Sequence, residues 1–215
     1  MQHDLTIDGF AFRLRPVVAD DAAFITALRT DARRSRFIHR TAPDVAAQRA
    51  WIERYRSRPG DYYFVVERRA DGVAEGTIGI YDLDDTRRCA EWGRWVLRPG
   101  SLAAPESAWL VYRVGFERLP LDLLYSRTVA ANARVVSFHA GCGLTTHATL
   151  TGAVVLDGVA HDLIEQHMRR ADWSTWGPRL AAQAERVARL AVRAAQQPGA
   201  EGPARSPAAG APRPK

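Results

Sequence analysis

The chain holds 215 residues, 47% apolar and 25% charged, with a formal net charge of +6; this is the make-up of one globular domain with an appendage, large enough for one substantial core. No apolar run approaches the roughly 18–20 residues of a membrane span. The start Met1-Gln2-His3-Asp4 has no basic segment leading into an apolar one, and Cys89 and Cys142 are too few for a disulfide scaffold or a zinc cluster, so a reduced, cytoplasmic protein with no membrane partner is expected.

In chain order, Phe10–Arg15 alternates apolar and polar residues and predicts a first strand that Pro16 ends. Ala19-Asp20-Asp21 offers an acidic helix start, with Phe24, Ile25 and Leu28 at helical spacing. Thr41-Ala42-Pro43-Asp44 is a second N-cap signal, followed by Ala47, Trp51 and Tyr55 on one face. Three strand-like runs, Tyr62–Glu67, Ala74–Leu83 and Cys89–Leu97, are separated by Asp71-Gly72 and Asp84-Asp85, the pattern of an antiparallel meander. Pro105 suits the first turn of a helix reaching about Leu119. Leu121–Thr128 reads as a strand, Asn132–Gly141 as a helix and Leu144–Leu156 as a strand. Val159–Met168 fits a strand or a short helix.

The order predicts an α+β fold: a mixed, mostly antiparallel central sheet of about 6–7 strands with helices on both faces. Residues 1–177 form the domain and residues 178–197 an amphipathic helix, with Leu180, Ala184, Val187 and Ala191 on one stripe. Residues 198–215, almost wholly Pro, Gly, Ala, Ser and charge, form a disordered tail. The net charge concentrates at that end. From Pro178 onward seven basic residues face Glu185 and Glu201, whereas Met1–Gly177 sets 23 Arg against 22 acids. A nucleic-acid-binding domain carries its basic stripe on the folded body, so no nucleic-acid partner is expected.

Asn132, Val135, Phe138, His139 and Gly143-Leu144 fall at the intervals of a short helix in the GNAT superfamily of acyl-CoA-dependent N-acyltransferases, and the segment resembles it. Ala90-Glu91-Trp92-Gly93-Arg94-Trp95-Val96 resembles the fourth strand of the branch that includes ribosomal-protein and sugar-nucleotide N-acetyltransferases. Arg36-Phe37-Ile38 and Gln48-Arg49-Ala50-Trp51-Ile52 resemble the acceptor-side wall of that branch, Gly79 its third strand and Asp172-Trp173 its ending. With the element order, the resemblance covers roughly Phe10–Trp173. The chain departs from the family at Arg98–Ser107, where only Arg98 and Gly100 match a pyrophosphate-binding loop. Either the loop is of the degenerate kind found in some sugar-nucleotide N-acetyltransferases, or CoA binding has been lost.

The resemblance implies acetyl-CoA as co-substrate and a set of roles. His139 stands where many members carry Tyr, the general acid for the departing thiolate, and an imidazolium is a competent donor near neutral pH. Glu91 is the candidate general base, directly or through water. Backbone groups of Trp95, Val96 and Leu97, with Asn132 and Phe138, hold the cofactor arm; Arg98 and Gly100 face its phosphates. Arg36, Trp51 and Tyr81 face the acceptor. The same residues also fit a capped helix, a salt-bridged Glu and a half-buried His. His147, His161 and His167 show no metal-ligand spacing with Cys or acids, and no metal is expected. The implied activity is N-acetylation of a small-molecule primary amine by direct transfer in a ternary complex, with a 4-amino-sugar nucleotide as first choice of acceptor. N-terminal protein or aminoglycoside acetylation is the second reading, and a catalytically inactive binding module of the same fold is the third. A homodimer is left open.

Overall fold

Strand β1 (Ile7–Asp8) turns back onto β2 (Phe12–Pro16) in the computed structural model, which describes residues 3–196. The turn rests on a distant side chain. The amides of Ala11 and Phe12 donate to the buried Glu106 carboxylate at 3.0 and 3.1 Å. Helices α1 (Ala22–Thr30) and α2 (Val45–Tyr55) follow, and Asp44 caps α2 by accepting from the Ala47 amide at 3.0 Å. Strands β3 (Tyr62–Arg68), β4 (Ala74–Asp84) and β5 (Cys89–Leu97) form the meander expected from the sequence.

Helix α3 (Ala104–Arg113) begins at Pro105 and relaxes into a π-helical turn at Val114–Arg118. Carbonyls in and just after that turn are satisfied from afar: the Arg170 guanidinium donates to the carbonyls of Phe116, Leu119 and Leu121. Strand β6 (Leu123–Val129), helix α4 (Ala133–Gly141) and the long hairpin β7 (Thr145–Leu156) and β8 (Val159–Arg169) complete the sheet. Val159–Met168 is therefore a strand. The sheet runs β1-β2-β3-β4-β5-β6-β8-β7, and every pair is antiparallel except β5–β6. It has eight strands, one more than expected, because a two-residue strand is too short to leave a periodic signal.

Alternation along each strand divides the side chains between two faces. Phe64, Val66, Ile78, Ile80, Ala90, Trp92 and Leu124 point into a large core shared with α3, α4 and α5. Tyr63 and Val65 point the other way, into a smaller core with Ile25 and Ile52 of α1 and α2. On that second face the two helices reach only part of the sheet.

The carboxyl-terminal helix differs from its predicted bounds. Helix α5 spans Arg170–Gln196, with Pro178 inside it. A proline within a helix costs about 3 kcal/mol, and what offsets it is burial. Leu180, Ala184, Ala188 and Ala191 lie against the large core, with Trp173 and Trp176 packed beside it. Ala188, rather than Val187, belongs to the buried stripe. Residues 198–215, expected to be a disordered tail, lie outside the described residues.

Candidate active site

The parallel pair β5–β6 holds for three residues only. Cys89, Ala90 and Glu91 face Leu123, Leu124 and Tyr125, and then the strands part. Beyond Glu91, one edge of β5 has no strand partner, while its other edge stays bonded to β4 as far as Leu97. The result is a slot through the sheet, with unpaired backbone on its β5 side.

Glu91 sits at the closed end of the slot, 8% exposed. Tyr81 Oη donates to its Oε1 at 3.0 Å, and Arg127 reaches its Oε2 at 3.3 Å. Burial raises the Glu91 pKa above the usual carboxylate range; the Tyr81 hydrogen bond and the Arg127 charge oppose that shift. The ring of Tyr81 lies over Gly93, where a Cβ would strike the phenol oxygen. That glycine lets the hydroxyl reach Glu91.

His139 lies on the opposite face. It is 3% exposed and packed 4.8 Å from the Trp92 ring and 5.9 Å from Trp95. Its Nδ1 pairs with Ser126 Oγ at 3.0 Å, and burial lowers its pKa to about 4, with only partial opposition from the Gln166 side chain. Burial among aromatic rings thus disfavours the imidazolium form expected of a donor near neutral pH. The thiols are also poor nucleophiles, since burial pushes Cys142 up to about 12 and raises Cys89.

The remaining cofactor-side residues cluster around the slot. Trp95 donates from Nε1 to Ser107 Oγ at 3.1 Å and its ring meets Phe138 at 5.0 Å, tying β5 to α3 and α4. Val96 and Leu97 pair with Thr77 and Gly76 along the β4 edge. Asn132 stands at the N-cap position of α4, where its carbonyl, rather than its side chain, accepts the first helical bonds. In the Arg98–Ser107 loop, Gly100 takes φ +78° in open space. Among the described residues, the amides of Leu102, Ala104 and Glu106 find no acceptor, which is the condition of an anion-receiving helix start. Glu106, in the first turn of α3, is turned away to hold Ala11 and Phe12, and Glu75, which lines the pocket beside the loop, is paired with Arg68. The loop and slot thus fit a diphosphate-bearing thioester better than their sequence suggests.

On the Glu91 face, a cleft of about 500 Å³ opens beside α2, lined among others by Arg29, His39, Arg40, Trp51, Tyr81 and Arg94. Trp51 and Tyr81, expected to face an acceptor, both line this cleft. Arg36 does not: it lies in the 3-10 turn Ser35–Phe37, exposed, over the ring of Phe37. Arg94 was missed from sequence. It sits at a β-bulge with φ +50°, its carbonyl held by Thr77 Oγ1 at 2.8 Å. Its guanidinium grips both oxygens of Asp61 and lies 4.4 Å from the Tyr81 ring centre. Asp61 reads locally as a turn residue, and nothing near it in sequence announces a partner 33 positions away. Arg40 pairs with Asp157 at the tip of the β7–β8 hairpin, which links the cleft rim to that hairpin. Arg29 bonds Thr41 Oγ1 at 2.7 Å and has no carboxylate partner among the described residues.

A sheet slotted along one parallel pair, with a helix start at the slot's mouth and a buried carboxylate beside it, is the frame of an acyl-carrier-dependent transferase. The chain belongs to the GNAT acetyltransferase family, whose acetyltransferase (GNAT) domain profile matches residues 12–145. It is similar to apo FdhC, a nucleotide-linked sugar GNAT, with a TM-score of 0.68 and 26% identity over 80% of this chain and 94% of that one. A GCN5-related N-acetyltransferase from Brucella melitensis superposes with a TM-score of 0.75 at 17% identity, over 85% and 86% of the two chains. A mutant form of the spermidine N-acetyltransferase SpeG from Vibrio cholerae gives 0.67 at 18% identity, over 76% and 96%. The latter two share the fold alone. None of the curated proteins matches the chain. Among the described residues, no helix is long and apolar enough to cross a membrane.

Proposed function

We propose that this protein is an acetyl-CoA-dependent N-acetyltransferase whose acceptor is the primary amine of an anionic small molecule, a nucleotide-linked 4-amino sugar. The observation that carries the reading is the charge of the acceptor cleft. Arg29, Arg40 and Arg94 line it with Asp44; Arg40 and Arg94 are paired with Asp157 and Asp61, and Arg29 has no carboxylate partner among the described residues, which leaves its guanidinium available to an anion. A polyamine would meet like charge there, whereas a diphosphate would meet guanidinium groups suited to it. The likeness to a nucleotide-linked sugar GNAT supports the same choice.

Acetyl-CoA, when bound, supplies an activated acetyl thioester. The unpaired edge of Trp95–Leu97 and the amides at the start of α3 hold its arm and phosphates, with Arg98 and Gly100 beside them. Glu91 accepts the proton that the attacking amine sheds, directly or through a water molecule. Tyr81 and Arg127 fix its orientation, and burial makes it a stronger base than an exposed carboxylate. Neutral His139 lines the slot with Trp95 and Phe138 and takes no part in proton transfer. No covalent enzyme intermediate is invoked, in keeping with the raised thiol pKa values.

The test is CoA release with nucleotide-linked amino sugars, aminoglycosides, N-terminal peptides and spermidine. The first class should turn over fastest; preferential turnover of spermidine would overturn the assignment. Glu91→Gln should lower kcat by about a hundredfold or more while the KM for acetyl-CoA stays within about threefold. An unchanged kcat would remove Glu91 from the chemistry.

A further inference from the structure

The uncovered half of the Glu91 face carries a second cluster. Strand β7 bulges at His147: Thr146 pairs with Gln166 and Ala148 with Glu165, leaving His147 without a partner in the ladder. The bulge turns His147 to the side of the sheet occupied by Glu165 and His167. The two imidazoles stack with centres 4.1 Å apart, and His167 Nε2 lies 2.8 Å from Glu165 Oε1. One nitrogen from each histidine and one Glu165 oxygen lie within 4.8 Å of one another. Sequence spacing hides this group because the two histidines come from different strands.

We propose that His147, Glu165 and His167 form a binding site for a divalent transition-metal cation such as Zn²⁺. Three atoms so placed share a point no more than about 2.8 Å from each, and a shift of under about 1 Å per ligand reaches the Zn–N and Zn–O distances of roughly 2.0–2.2 Å once the His147 ring rotates out of its stack on His167 to aim an in-plane lone pair at the ion. His147 is exposed on the edge strand, so the site is accessible and one ligand is free to adjust. Two imidazoles with one carboxylate suit Zn²⁺ rather than Mg²⁺ or Ca²⁺, which prefer oxygen ligands. The second Glu165 oxygen is already held by Arg127 Nε at 2.8 Å, which orients the carboxylate as an outer-shell partner does. The same guanidinium reaches Glu91, so the metal would sit two side chains away from the proposed base. Its positive charge also weakens cation binding, so micromolar affinity is expected rather than the tighter binding of a structural zinc.

The experiment is calorimetric titration of the full, tag-free chain with Zn²⁺ near neutral pH, with Co²⁺ absorption as a report on coordination. One ion per chain should bind, with affinity reduced at least about tenfold in His147→Ala and in His167→Gln, and the Co²⁺ visible bands should be absent from both variants. Circular dichroism checks that each variant is folded. Because His147 is exposed at a sheet edge, His147→Ala should keep its fold if His167→Gln does not. No binding up to about 1 mM, or equal binding by His147→Ala, overturns the site and leaves the cluster as a salt-bridge network.

Discussion

At the scale of single residues, the surroundings of His139 govern its chemistry more than its place in a motif does. Its ring is enclosed by Trp92, Trp95 and Phe138, with Ser126 on one nitrogen. The unfolded chain binds a proton there near pH 6.5, the folded protein only near 4. As pH falls through that window the unfolded state gains the proton first. The stability linked to neutral His139 is therefore complete above about pH 6.5 and is lost towards pH 4, by roughly 3 kcal/mol. Urea unfolding should show the stability gap between the wild type and His139→Leu changing across this window, in the direction that penalises the wild type at low pH. Parallel curves would mean that the histidine titrates normally. The motif placed the helix correctly because its Asn, aromatic and Gly intervals are local. It was silent on the proton affinity, which depends on Trp92 from a strand 47 positions earlier.

At the scale of elements, the start of α3 shows how local and distant information divide. Pro105 and Glu106 are good helix-start residues, and the sequence placed that end correctly. It could not show that Glu106 serves another element altogether. Its carboxylate is the acceptor for two buried amides in the β1–β2 turn, and its raised pKa reflects the cost of burial. Glu106→Ala should strand both amides and lower stability by about 2–4 kcal/mol in chemical denaturation. Its effect on the KM for acetyl-CoA should be small, because the carboxylate does not face the loop. A large rise in that KM without destabilisation would show that Glu106 shapes the phosphate site directly. The same division explains Arg94: it lies in a segment read correctly as a strand, yet its pairing with Asp61, 33 residues away, has no periodic trace. Arg36 illustrates the converse, a motif residue that a 3-10 turn directs outward.

For the whole molecule, the sheet and the placing of helices on both its faces were legible because alternation and helical period encode burial directly. The extent of α5 was not, since Pro178 mimics a helix start and only the packing of Trp173, Trp176 and the Leu180–Ala191 stripe shows that the helix runs through it. Ending the chain after Gly177 should therefore expose the core beneath α5 and give a protein that unfolds at least about 10 °C lower or is recovered insoluble. Ending it after Gln196 should preserve both melting temperature and turnover. Equal melting of the two truncations would show that α5 contributes nothing to the fold.

The slot between β5 and β6 has one more consequence, on the proposed reading. The eight-stranded sheet acts as a partition with a single window: the acyl carrier comes to it from the α3 side and the amine from the cleft side. A partition of this kind sorts acceptors by reach as well as by affinity. A molecule seated firmly among the cleft arginines, but bearing its amine on the wrong ring carbon, presents nothing at the window. It occupies the enzyme as an inhibitor rather than a substrate, so discrimination between positional isomers of one amino sugar is built into the architecture itself.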